Sequence, residues 1–259
     1  MRPTTHDLPR SPSRTRRIFA PLLVLVFAAS GCPRATPMVK VAVQDAETEE
    51  LSFAEQVRTV RLGQRDVIAV ENETIVDEDL QQLSDLKNLL ALTLDKTRIT
   101  DSGMQYLRGL ENLEHLRLRG AAITDDGLQH LLSLRYLTIL NLPQARFTDA
   151  GLAMLKNLPN LEQLRFSSPH VTDAGMSELP GFPSLWHLHL IEVPITDQGL
   201  LPLEQMPQLL SFYLDGGRVT DDGLRRLIQQ RAQHALPPLH LHIDQRHPDF
   251  DPLKGTHED

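Results

Sequence analysis

The chain has 259 residues, 41% of them apolar and only 5% aromatic, which describes a soluble domain of roughly 200 residues plus additional segments. Its formal net charge of -8 argues against nucleic acid as the main partner, because neutralising phosphates requires a basic excess; only a local basic patch stays open. With a single cysteine, no internal disulfide can form, so stability must come from packing.

At the start, Arg2, Arg10, Arg14, Arg16 and Arg17 lead into "IFAPLLVLVFAA", an apolar run too short to span a bilayer as a stable helix. The run ends in Ala29, Ser30, Gly31 and Cys32, small residues before the chain's one cysteine. This resembles a bacterial lipobox. The resemblance implies that the Cys32 thiol takes a diacylglyceryl group, that cleavage precedes it, and that the new amino terminus is acylated, more than one acyl chain giving stable anchoring. Ala29 stands where that family prefers Leu, and Gly31 suits the lipoprotein and the ordinary signal peptidase alike, so plain secretion is the alternative. The expected organisation is a signal peptide over 1–31, a tether over 32–50 rich in Pro, Ala, Thr and acidic residues, and an N-terminal cap over 51–64. Within the cap, "FAEQVRTVRL" spaces Phe53, Val57 and Val60 as one helical face.

From 65 to 235 the text repeats. Ile75, Ile99, Ile123, Phe147, Val171, Ile195 and Val219 stand 24 residues apart, and the same step links Asp77 to Asp221 and Gly103 to Gly223. Upstream of these words lie "LLALTL", "LEHLRL", "LTILNL", "LEQLRF", "LWHLHL" and "LLSFYL", each reading LxxLxL with a short alternating strand at its end. The unit LxxLxLxxxx(I/V)TDxGLxxLxxLxx implies a solenoid and resembles the bacterial leucine-rich repeat with TDxGL before its helix. That resemblance implies an α/β fold: a right-handed leucine-rich-repeat solenoid of about eight short parallel β-strands on a concave face, with helices on the convex face. The turn Asn of many such repeats is replaced by Thr97, Ala121, Ala145, Pro169, Val193 and Gly217, so no asparagine ladder is expected there, and the cysteine of the cysteine-containing subtype is absent.

The TDxGL word reads as structural. Thr100, Thr124, Thr148, Thr172, Thr196 and Thr220 are predicted N-caps, each hydroxyl accepting from the amide three residues on, Gly103 for Thr100. Asp101, Asp125, Asp149, Asp173, Asp197 and Asp221 fall in the first turn beside the positive helix end. One carboxylate per repeat is too few for a calcium site. The glycine, unfavourable in a helix by roughly 1 kcal/mol, implies close approach by the preceding loop or the neighbouring repeat.

Function is sought where the copies differ. Residues flanking the buried strand positions form columns on the open side of the sheet, and the partner-binding candidates there are His115, Arg117, Arg119, Asn141, Arg165, His187, His189, Tyr213 and Asp215. "HLH" at His187 to His189 and at His240 to His242 has a spacing that can chelate a metal, the second pair being followed by Asp244 and His247; no closed ligand set is fixed, and no metal or cofactor is expected. No nucleophile elbow or phosphate loop occurs. After "LIQQRAQHA" the register is lost, and "LPPLHLHIDQ" reads as a last strand displaced by three residues, opening a C-terminal cap and tail over 236–259 in which Phe250 is a candidate plug. The expectation is a monomeric, non-catalytic module in the bacterial cell envelope, lipid-anchored through Cys32 and binding a protein partner on the concave face. The alternatives are an envelope component binding carbohydrate or other envelope proteins, and a metal-dependent role of the His-rich end.

Overall fold

The computed structural model describes residues 51–243, which belong to the second of two units, Met1–Glu49 and Glu50–Asp259. The signal segment, Cys32, the tether, Asp244, His247 and Phe250 lie outside the described residues. Among the described residues no helix is long and apolar enough to cross a membrane.

The first element is helix α1 (Phe53–Arg61), started by a capping box in which Ser52 and Glu55 satisfy each other's backbone amides. Its buried face is Phe53, Gln56, Val57 and Val60. Eight strands follow: β1 (Val67–Val70), β2 (Ala91–Leu94), β3 (His115–Leu118), β4 (Ile139–Leu142), β5 (Gln163–Phe166), β6 (His187–Ile191), β7 (Ser211–Asp215) and β8 (His240–Ile243). They form one open parallel sheet in sequence order, with each residue facing the one 24 positions later as far as β7. The return from β1 to β2 is a 3-10 turn over Asp79–Leu83, and each later return carries an α-helix: α2 (Asp101–Met104), α3 (Asp125–Gln129), α4 (Asp149–Leu155), α5 (Asp173–Met176), α6 (Asp197–Leu200) and α7 (Asp221–Gln233). Between sheet and helices runs a continuous core, typified in the β3 repeat by Leu110, Leu113, Leu116, Leu118, Ile123 and Leu128, all 0% exposed. Each such buried side chain contributes about 1.5–3 kcal/mol, which no single repeat could collect without its neighbours.

The TDxGL words join the repeats. Thr148 N-caps α4, its hydroxyl accepting from the amide of Ala150, two residues on; Thr100, Thr124, Thr172 and Thr196 do the same, and only Thr220 reaches three residues on, to Gly223. The expected three-residue reach is thus corrected for five of six caps, because these one- to two-turn helices start tightly, with the Gly103 amide donating instead to the backbone carbonyl of Thr100. The carboxylates turn towards the next repeat. Asp125 Oδ1 accepts from the Thr148 amide at 2.8 Å, and its Oδ2 from the Thr148 hydroxyl at 2.7 Å. The same clasp links Asp77 to Thr100, Asp101 to Thr124, Asp149 to Thr172, Asp173 to Thr196 and Asp197 to Thr220. The glycine makes room for it: a Cβ on Gly151 would lie well inside van der Waals contact with Asp125 Oδ1 and 2.8 Å from the Cβ of Phe147. A second ladder lies where the helices exit, with the side-chain amides of Asn88, Asn112 and Asn160 donating to Val60, Lys87 and Arg135 carbonyls of the repeat before.

Both ends of the stack are closed by side chains. The Gln56 amide bonds both backbone groups of Ala69 on edge strand β1, 2.7 Å to its carbonyl and 2.9 Å from its N–H. At the far end Arg231 of α7, 2% exposed, donates to the carbonyls of Leu203, Met206, Leu209 and Pro237. The last strand departs from expectation: Ser211 faces His240, a step of 240 − 211 = 29, so β8 is displaced by five residues and not three. The reason is α7, whose 13 residues exceed any earlier helix and lengthen the return path.

Gly151→Ala is expected to destabilise the fold by about 1–3 kcal/mol in urea unfolding, as overpacking against a fixed neighbour does. Ala150→Ser, at an exposed position one residue away, should stay within about 0.5 kcal/mol. Equal midpoints for the two would refute the inter-repeat clasp.

Candidate functional site

In β1, β3, β4, β5 and β6 half-buried and buried residues alternate, so every second side chain stands on the sheet face opposite the core. The register sets them in two columns. One runs Val67, Ala91, His115, Ile139, Gln163, His187, Ser211, His240; the other runs Ala69, Thr93, Arg117, Asn141, Arg165, His189, Tyr213, His242. The structure thus brings six of the nine candidates into two groups, with Asn141 and Arg165 between them. His115 stands apart, between Ala91 and Ile139.

The first group is an ion cluster. Arg117 Nε lies 3.3 Å from Asp95 Oδ1, and Arg119 Nη1 lies 3.7 Å from Asp95 Oδ2, so one carboxylate holds two guanidinium groups. The second group surrounds Tyr213. Its ring lies 5.2 Å from His187, 5.4 Å from His189 and 5.8 Å from His240, and it stacks on His242 at 4.9 Å and 27°. Trp186 meets the edge of His187 at 5.6 Å, and His189 Nε2–H donates to Asp215 Oδ2 at 2.8 Å. Arg165 makes no hydrogen bond or ion pair among the described residues, and its Nε is buried.

Four members of this surface escape a reading of the sequence as a list of candidates. Asp95 holds the arginines, yet its position just past the end of β2 alone does not reveal it. Trp186 occupies the second place of LxxLxL, which faces neither core nor column in the consensus. His240 and His242 were named only as a metal-chelating pair; the expected register sets His240 opposite Tyr213, and the two-residue shift of β8 sets His242 there instead. Among the described residues no group of three or more His, Cys, Asp or Glu side chains is placed to hold an ion, and Asp244 and His247, which follow the second pair, lie outside the described residues.

A family model described as a leucine-rich repeat matches residues 109–132, the length of one unit. A comparison with curated proteins returns no match. Among solved structures the chain is similar to internalin C2 of Listeria monocytogenes str. 4b F2365, with 22% identity and a TM-score of 0.40 over 65% of this chain and 92% of that one. It is also similar to the internalin inlF of the same strain, with 19% identity and a TM-score of 0.47 over 73% of this chain and 68% of that one. The open eight-stranded parallel sheet alternating with helices, together with the matched repeat, makes the fold a leucine-rich-repeat solenoid.

Burial pushes the His187 pKa down to about 4, with His189, His240 and Arg165 adding like charge. His115 is lowered by burial and by Arg117; His189 is lowered by burial although its bond to Asp215 pulls the other way. Burial therefore favours the neutral form of the His187 and His189 rings. The unfolded His187 takes a proton near pH 6.5 and the folded one only near pH 4, so the stability it confers is full above about 6.5 and is lost as pH falls towards 4. The melting temperature is expected to decline between pH 6.5 and 5, and to decline less in His187→Gln; identical slopes would contradict this placement of the ring.

Proposed function

We propose that this leucine-rich-repeat solenoid is a non-catalytic, extracytoplasmic module that binds a protein partner across its open sheet face. Its membrane attachment is through acyl chains on Cys32. The observation that carries the reading is a division of labour. Residues that recur every 24 positions are consumed by core, caps and clasps, whereas those on the face vary from strand to strand and, among the described residues, meet no other layer. A wide, rigid sheet with unlike side chains suits recognition of an extended surface, the use to which repeat solenoids put this face. Aromatic and arginine side chains, the residues that dominate protein–protein affinity, are the ones gathered there.

Cross-linking the full chain in its native envelope is expected to trap a discrete protein species that disappears when Arg117 and Arg165 are both changed to Glu, with the melting curve retained; undiminished capture would sink the face as the binding surface. Detergent partitioning tests the anchor separately. The wild type should enter the detergent phase and Cys32→Ala should not, and an aqueous wild type would remove the acyl anchor.

A further inference from the structure

We infer that Arg165 anchors a carboxylate of an acidic polypeptide segment lying across the sheet, with an aromatic side chain of the same segment seated on the Tyr213–His242 stack. This deepens, and rests on, the reading of the face as a protein-binding surface. Of the three arginines on the face, Arg117 and Arg119 already share the Asp95 carboxylate. Arg165 is different. It is half-buried, and no carboxylate among the described residues lies within ion-pair distance of it, so its Nε, covered without a hydrogen-bond partner as that of Arg117 is, has no nearby anion to offset the burial. Asp215 attracts it from farther away but is engaged through Oδ2 with His189.

A guanidinium held partly out of water without a counter-ion is unfavourable in the free protein, and an incoming carboxylate relieves that cost with two parallel N–H···O bonds. Burial and the neighbouring Arg117 and Arg119 act together to disfavour its charge, which an added anion reverses. On a chain of formal charge -8 this is a local cationic exception, so the complementary partner segment is acidic. The register supplies a spacing. Arg165 faces His189, and His189 faces Tyr213, so anchor and ring stand two strand spacings apart, about 10 Å. An extended chain covers that in about three residues, which places the acid and the aromatic at positions i and i+3.

The test uses fluorescence anisotropy of the full chain with dye-labelled, end-blocked peptides of sequence (Glu-Gly-Gly-Tyr)3, (Gln-Gly-Gly-Tyr)3 and (Glu-Gly-Gly-Ala)3. The first should bind saturably and the other two at least about tenfold more weakly, as expected when a charge-assisted pair or an aromatic anchor is lost. Arg165→Gln should reduce affinity for the first peptide by at least about tenfold and Arg165→Lys by less, since lysine keeps the charge and loses the fork. Neither variant should lower the melting temperature, because the free protein offers Arg165 no partner; a fall would assign it a structural role and overturn the proposal. Equal binding of the Glu and Gln peptides, or wild-type affinity in Arg165→Gln, would overturn it as well. So would Arg165-dependent binding to phosphatidylglycerol vesicles with none to peptide, which would make the anion a lipid headgroup. If the peptides fail while cross-linked capture is still abolished by the double charge reversal, the acidic anchor falls and the protein-binding face stands; if both fail, the face itself is wrong.

Discussion

Everything regular in this molecule depends on one interaction: the carboxylate of one repeat held by the amide and hydroxyl of the threonine that starts the next helix, above a glycine that has no side chain to obstruct it. On the sheet side, backbone hydrogen bonds already hold successive strands about 4.8 Å apart. The clasp holds successive helix starts on the other side. With both sides tied, a residue inserted between strand and helix start would break one of the two, and the step therefore stays at 24 from β1 to β7. Past Thr220 no further TDxGL word follows, and there the step lengthens to 29.

This arrangement also determines where function has freedom to vary. Thr, Asp and Gly are committed to the joint, and the leucines to the core, so substitutions at those places cost stability. The outward strand positions carry no such duty. They have diverged into an arginine cluster on one part of the sheet and an imidazole–tyrosine platform on another, linked by a column in which Asn141, Arg165 and His189 succeed one another. Within the platform, burial lowers the pKa of His187 and of His189, so these two rings hold their neutral form further into the acid range than exposed histidines do.

The fold was legible because periodicity reports it directly: Leu116 and Leu140 are equivalent in the text and in the sheet. Partners across repeats were less legible. The spacing of Asp125 shows that it recurs, but not that it points forward to Thr148 rather than back to its own helix; only the helix-start geometry decides that. The glycine's close neighbour was expected from its helix cost, while the identity of that neighbour was not. The last strand was misplaced because the single alternation Leu239, Leu241, Ile243 allows two registers two residues apart, and the longer α7 selects the one that buries Ile243 at 5% exposure while Leu236 and Leu239 stay half-buried. Gln56 and Arg231, which close the two ends, occur once each and so leave no trace in a repeat.

The most direct test of the central claim is native-state hydrogen exchange of the Thr148 amide in wild type and in Asp125→Ala. The clasp predicts that this amide is protected in the wild type and becomes the one that loses most protection in the variant, while the Thr100 and Thr196 amides, held by Asp77 and Asp173, keep theirs. Protection at Thr148 that survives removal of the Asp125 carboxylate would contradict it.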